Sequence, residues 1–453
     1  MKSINPSTSL RVNGERSRTI KFYTLGCKVN QYDTQEIRER FLRCGFREIS
    51  NGKKADVYVI NTCTVTAAAD AKSRYYIRYA WRQNPKAKII VTGCLTELNS
   101  DEILKIPGVT QIVKNRDKNR ILVLLNPVRD TTNSSNKTIV SNGVNEPDEP
   151  NEAGISNFSG HTRAFLKIQD GCDNFCSYCK VSLVRGRSRS KPLNEIIWEA
   201  EKLIKNGFKE IVLTGICLGA YGQDFSPKIG LVKAVEALEG FDGLLRIRLS
   251  SIEAGDVSEE LIRKMAESSK LCPHLHIPIQ SGDDEILKKM NRRYSFNSYL
   301  KLIQKIKTLI PEIAITTDVM VGFPGETEEN FQNTVKLIQE IIPLKVHIFP
   351  YSVRIGTNAS NFKGLLNPQT IQERISQLKN ISENCSLIYK KQFLNRNLDV
   401  LIEKRAKENK EYWEGHTGNY IRVWVKSKFN LKNKIVTLKL KKISEDITYG
   451  TLY

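Results

Sequence analysis

The run GCDNFCSYC, residues 171–179, sets Cys172, Cys176 and Cys179 in a C-x3-C-x2-C loop. A short apolar, strand-like run at 164–168 leads into it. An amphipathic helical pattern follows, with Leu193, Ile196, Ile197, Ala200, Leu203 and Ile204 on one face. That strand–loop–helix unit recurs. Strand-like runs lie at 164–168, 210–213, 245–249, 274–279, 313–319 and 345–349, each but the last followed by a helical pattern. Phe331, Val335, Ile338 and Ile341 form another apolar face, and Asp256 with Glu259 reads as a capping box. Six β/α units predict an incomplete version of the eight-fold parallel barrel, whose working edge is the carboxyl end of its strands. The cysteine loop follows the first strand and so belongs to that edge.

Toward the N-terminus a second cysteine trio is dispersed: Cys27 in TLGCK, Cys63 in NTCTV and Cys94 in TGCL. Strand-like runs at 20–25, 57–61 and 88–92, with a weaker one at 111–113, alternate with helical patterns at 31–45, 66–83 and 97–105. This predicts a Rossmann-like α/β unit with a parallel sheet. Each cysteine of the trio then sits at the carboxyl end of a strand, the edge where open α/β sheets bind ligands. Three residues far apart in sequence can therefore converge on one point.

Residues 126–157, ending near NEPDEPNEAG, have linker composition. Beyond a helical pattern at 369–394, short strand-like runs at 398–403, 420–426 and 435–441 predict a small β-barrel. From Tyr389 onward 15 Lys/Arg stand against 7 Asp/Glu, interleaved with Tyr412, Trp413, Tyr420, Trp424 and Phe429. Such a barrel binds RNA by charge and stacking, although about half of those rings are expected in its own core. The division expected is 18–125, a linker at 126–157, 158–388 and 389–453, a multidomain α/β chain.

Net charge is +21 over 453 residues, which points to a polyanion partner or else to a solvated, lysine-rich surface. No apolar run approaches the roughly 20 residues of a membrane span, and the first 18 residues lack a signal-peptide core. A cytoplasmic location without membrane contact is expected. Ten cysteines then argue for metal or redox chemistry over disulfides. The five histidines show no metal-site spacing. Sulfur-only ligation leaves iron–sulfur clusters or zinc, and three thiolates would leave one iron of a four-iron cluster open. Cys44, Cys272 and Cys385 read as small buried hydrophobes.

The compact loop, with Tyr178 before its third cysteine, resembles the cluster motif of the radical S-adenosylmethionine (SAM) superfamily. The order of dispersed trio, compact trio and basic barrel resembles the methylthiotransferases, from about Thr19 to Tyr453. TLGCKVNQYDT (24–34), VINTCTVT (59–66), HLHIPIQSG (274–282), VGFPGETEE (321–329) and YS-x-R-x-GT (351–357) favour the branch acting on N6-threonylcarbamoyladenosine. The resemblance implies a radical SAM partial barrel, a TRAM-type RNA-binding barrel and two 4Fe–4S clusters, on Cys27, Cys63, Cys94 and on Cys172, Cys176, Cys179. It further implies SAM bound at the compact cluster, and a methylthio group added to adenine C2 at position 37 of the tRNA anticodon loop. A one-electron donor such as a flavodoxin or ferredoxin is implied; the sulfur donor is not identified. Isopentenyladenosine, a ribosomal protein, or a non-catalytic iron–sulfur RNA-binding role are the alternatives. Tyr178, Thr214, Gly215, Ser251 and Gln280, with the backbone of 321–323, are implied SAM contacts. The RGRSRS run (185–190) is either a phosphate clamp or a solvated basic face. Lys180, Ser182 and Cys217 depart from the family pattern, which puts the loop's pairing and one local contact in doubt.

Overall fold

Alternation at residues 57–60 builds the first layer. Val57 and Val59 pack with Ile20, Ile37 and Phe41 on one face. Tyr58 and Ile60 pack with Ile77, Ala80 and Val91 on the other. Period-two alternation with apolar residues on both faces is what a sheet covered on each side requires. In the computed structural model, which describes residues 18–50, 52–125, 154–445 and 447–452, this sheet is wholly parallel, in the order β2-β1-β3-β4-β5. Its strands are β1 (Thr19–Thr24), β2 (Arg47–Glu48), β3 (Val57–Thr62), β4 (Lys88–Gly93) and β5 (Val109–Val113). Helix Lys28–Arg43 covers one face and helix Ala67–Gln83, capped by Thr66, the other. The strand order reverses direction at β1/β3, where such sheets form their crevice.

The expected linker lies mostly outside the described residues. Its last part is docked: the Ser156 and Asn157 amides donate to the Glu39 carboxylate at 2.9 to 3.0 Å.

The second unit contains the six expected strands: β6 (Arg163–Lys167), β9 (Glu210–Thr214), β10 (Arg246–Leu249), β11 (His274–His276), β12 (Ala314–Val321) and β13 (Lys345–Pro350). β6, β9 and β10 form one parallel set and β11, β12 and β13 another. Parallel bridges Ile247–Leu271 and Ser251–His276 join the sets into one open arc. Between β6 and β9 the tiny hairpin of β7 (Gln169–Asp170) and β8 (Arg189–Ser190) clamps the base of the cysteine loop. One helical start differs from expectation. Ser258, not Asp256, caps helix Glu259–Glu267 by accepting from the Leu261 amide, while Asp256 faces Cys217.

The C-terminal unit is a closed barrel, β14-β15-β16-β18-β17. Its strands are β14 (Asn397–Arg405), β15 (Tyr412–Thr417), β16 (Arg422–Lys426), β17 (Ile435–Ile443) and β18 (Thr448–Leu452), two more than the sequence predicts. Helix Pro368–Lys391 runs across the expected 388/389 boundary, and Tyr389 packs into the small barrel's core. Trp413 and Trp424 are buried, whereas Phe429 is 78% exposed. Cys272 and Cys385 are buried as expected; Cys44, at a helix end, is exposed. Among the described residues no helix is long and apolar enough to cross a membrane.

Candidate active site

The exits of β1, β3 and β4 carry the dispersed trio to one place. Cys27 caps helix Lys28–Arg43 in extended conformation, Cys63 follows β3, and Cys94 opens a 3-10 turn after β4. Asn30 fastens two of these exits, its Nδ2 donating to the carbonyls of Leu25 at 2.7 Å and Thr62 at 2.9 Å. At Gly26 the chain turns with φ +91°, and an added Cβ would stand 2.7 Å from Cys63 Sγ. Only a residue without a side chain lets the thiol sit there.

The compact trio is folded by its own backbone. The Cys172 amide donates to the Gly186 carbonyl at 3.1 Å, and Cys179 to Cys176 at 3.0 Å. Gly171, at φ +74°, lies so close to the Arg187 carbonyl that an added Cβ would reach within 1.9 Å of it. Each sulfur has a donor aimed at it. The Asn174 amide lies 3.5 Å from Cys172 Sγ, the Val181 amide 3.5 Å from Cys179 Sγ, and Arg292 Nη1 3.3 Å from Cys176 Sγ.

The dispersed trio Cys27, Cys63 and Cys94 and, from the compact trio, Cys179 line one cavity of about 250 Å3; Cys172 and Cys176 are not among its lining residues. Burial pushes the Cys27 thiol up, with Arg185 pulling it back, and raises Cys63 to about 11. Burial likewise raises Cys176, against Arg292, and Cys179 to about 12. Cys172 is lowered, chiefly by a hydrogen bond from Cys217. All six thiols are free of disulfides. Two sets of three soft donors, four of the six thiols costly to ionise alone and the three of the compact loop met by N–H donors, fit iron–sulfur clusters with one unligated iron each. Ligation would release protons, since metals take the thiolate.

The two trios are locked together by buried charge. Arg185, just beyond the compact loop, gives Nη1 to Asp170 at 2.9 Å, and Nη2 to Asn30 and to Asp33 at 3.3 Å. Lys118 Nζ lies 2.7 Å from Asp33, and Lys167 joins the same carboxylate. Burial alone would raise Asp33, but Lys118, Lys167 and Arg185 hold it well below the usual carboxylate range. Tyr32, from the same helix, inserts among the barrel's buried residues and donates to Glu199 at 2.8 Å. Within RGRSRS, Arg185 is therefore an interdomain tie and not a phosphate clamp. Arg187 is exposed and paired with Asp173 at 3.2 Å.

Of the expected SAM contacts, Tyr178 and Gln280 line the cavity, Gln280 with φ 68°. Thr214 is buried and its hydroxyl donates to the Val212 carbonyl. The Gly215 amide faces Ser250 Oγ at 3.4 Å, and Ser251 bridges to His276. These three stand at strand ends but are not among the cavity's lining residues. Phe323 is fully buried, and the Gly322 amide is taken by Glu326. Helix Val181–Arg185 forms through Ser182 without a proline, and Cys217 abuts Asn174 and Asp256.

Three features escaped sequence reading. Arg292 reaches Cys176 from a segment with no motif. Arg354 lay inside the quoted YS-x-R-x-GT run; its Nη2 donates to Thr64 and to Asp70 at 2.7 Å, joining barrel to N-terminal unit. The histidines, without metal spacing in sequence, meet in space. His276, Asp318 and His347 lie on adjacent parallel strands, their ligand atoms within 4.8 Å of one another. Burial, then Lys345, holds His347 down to about 4.

Comparison with known proteins accords with this site. The radical SAM superfamily model matches residues 166–338, and that of uncharacterized protein family UPF0004 matches 19–114. The chain is similar to threonylcarbamoyladenosine tRNA methylthiotransferase MtaB of Bacillus subtilis (strain 168), 40% identical over 94% of each chain. It is also similar to tRNA-2-methylthio-N(6)-dimethylallyladenosine synthase of Caldicellulosiruptor saccharolyticus, 34% identical over 96% of this chain and 92% of that one. Among solved structures, the radical SAM methyltransferase TsrM from Kitasatospora setae, with cobalamin and a [4Fe-4S] cluster bound, shares the fold with a TM-score of 0.52 at 14% identity, covering 74% of this chain and 75% of that one. With the dispersed trio and Cys179 of the compact loop on one cavity, and relatives matched over nearly the whole chain, the chain belongs to the radical SAM methylthiotransferase family.

Proposed function

We propose that this protein is a tRNA methylthiotransferase that adds a methylthio group to C2 of N6-threonylcarbamoyladenosine at position 37, beside the anticodon. The observation carrying the reading is that the whole dispersed trio and Cys179 of the compact trio line one cavity. The choice of nucleoside is supported by the 40% identical relative named for it. Cys172, Cys176 and Cys179 would hold one 4Fe–4S cluster, and Cys27, Cys63 and Cys94 the other. Bound clusters and SAM supply what the side chains cannot, a radical able to activate an aromatic C–H bond and a sulfur to place there.

The chain's own residues bind, orient and exclude water. The Arg185–Asp33–Asn30 tie fixes the distance between the trios. Val65, Val181, Ile216 and Met320 give the cavity apolar walls that shield reactive species from solvent. Tyr178 and Gln280, which line the cavity, would contact SAM there, with Thr214, Gly215 and Ser251 at the neighbouring strand ends. The basic small barrel, with Phe429 exposed, would hold the tRNA. A flavodoxin- or ferredoxin-type donor supplies electrons, in the cytoplasm. The three units would divide the work as expected at 18–125, 158–388 and 389–453.

Mass spectrometry of tRNA nucleosides from cells with and without this gene tests the reading. Loss of the 2-methylthio derivative of threonylcarbamoyladenosine is expected on deletion. Unchanged levels, or loss of the isopentenyl counterpart instead, would reject it.

A further inference from the structure

The charged side chains lining the shared cavity divide into spent and unspent. Arg185 is consumed by Asp170, Asn30 and Asp33. Asp318 Oδ1 lies 3.2 Å from His276 Nε2. Arg354 is buried and fixed by its Nη2, yet its Nε has no partner among the described residues. Lys180, at the N-cap of helix Val181–Arg185, lines the same cavity. It is near enough to Arg354 and Asp70 to feel both charges, and no hydrogen bond or ion pair holds its ammonium among the described residues. Asp70 gives one oxygen to Arg354, and its buried Oδ1 has no donor, so Lys180 is not spent on it. Lys180 and Arg354 thus line one cavity, and among the described residues the one carboxylate paired with either is Asp70, on Arg354. An anionic group entering there would accept charge-assisted bonds from both.

Relatives of this chain are named for two nucleosides with opposite chemistry. A threonylcarbamoyl group ends in a carboxylate and a hydroxyl, whereas a dimethylallyl group is hydrocarbon. The apolar walls at Val65, Val181 and Ile216 suit an adenine ring in either case and do not separate the two. We infer that Lys180 and Arg354 bind the carboxylate of the threonylcarbamoyl group and so select the acidic nucleoside. Arg354, anchored to Thr64 and Asp70, is the rigid half of the clamp, and Lys180 on its flexible stem closes it. This assignment rests on the function proposed above.

The test pairs protein and substrate changes. Reconstituted full-length wild type, Lys180→Met and Lys180→Arg are each given an anticodon stem-loop carrying threonylcarbamoyladenosine. Each also receives the same stem-loop with its carboxylate capped as the methylamide. KM and the anaerobic Kd of the stem-loops are read. Loss of one charge-assisted bond predicts about 10- to 100-fold weaker binding for Lys180→Met with the acid. Wild type should lose at least that factor on capping, Lys180→Met, which keeps Arg354, should lose clearly less than wild type, and Lys180→Arg should recover most of the preference. Equal acid-to-capped ratios in wild type and Lys180→Met would overturn the inference while leaving the function standing. A wild type that modifies only dimethylallyladenosine stem-loops would overturn both.

Discussion

Arg292 shows how much a single side chain outside any motif can carry. It donates to Cys176 Sγ at 3.3 Å and pairs with Glu253, and it is almost fully buried. Arg292→Met therefore removes a positive charge from beside the compact cluster and strands a largely buried carboxylate. A loss of about 3 kcal/mol in stability follows for breaking such a pair. The midpoint potential of that cluster should fall, because a cation favours the more negative, reduced state. Redox titration followed by electron paramagnetic resonance, with chemical denaturation alongside, checks both. An unchanged potential would show that the guanidinium does not act on the cluster. Sequence could not supply this residue, since Arg292 is 116 positions from the sulfur it touches. It did supply the six cysteines, because their spacing and their places after apolar strands follow from local pattern alone.

Among the elements, strand exits matter most. Gly26 passes within van der Waals distance of Cys63, so Gly26→Ala should displace that thiol while β1 and β3 stay paired. Iron should then leave the N-terminal trio about tenfold faster under chelator, with the compact cluster retained. Release at the wild-type rate would mean the turn has room that its geometry denies. Strands β1, β3 and β4 were legible because buried apolar runs or alternation mark them. β15 and β18 were not: YWEGHT and TYGTL interrupt the apolar pattern with Glu414, Gly415, His416 and Gly450. Their pairing comes from closure of the barrel, a long-range effect. Similarly, His276, Asp318 and His347 are neighbours only because parallel strands place distant residues side by side.

At the scale of the whole molecule, buried ion pairs hold the units together. The small barrel docks under the β/α arc through Arg163–Glu403 at 3.2 Å, Arg246 on the Asp399 and His416 carbonyls, and Arg248 on Gly418. Tyr420 is stacked between His274 and His416, ring centroids 4.6 and 4.9 Å away. Burial would raise Glu403, but the His416 hydrogen bond and Arg163 hold it at about 2. A carboxylate lowered on folding adds stability above its unfolded value near 4.3, and that stability is lost as pH falls toward 2. About 3 kcal/mol should therefore disappear across this window, and denaturation curves of Glu403→Gln should lack that component. A variant as acid-sensitive as wild type in this range would place the docking energy elsewhere. The interface was invisible in the sequence because its partners come from five separate segments, whereas the order of the three units was plain from composition. The central claim is that six thiols form two incomplete ligand sets, one lining the cavity in full and the other reaching it through Cys179. Iron and sulfide per chain after anaerobic reconstitution measure it most directly. Wild type should hold about eight irons, and a variant with Cys27, Cys63 and Cys94 all changed to Ala about four. Zinc in place of iron, or an unchanged iron count in that variant, would contradict it.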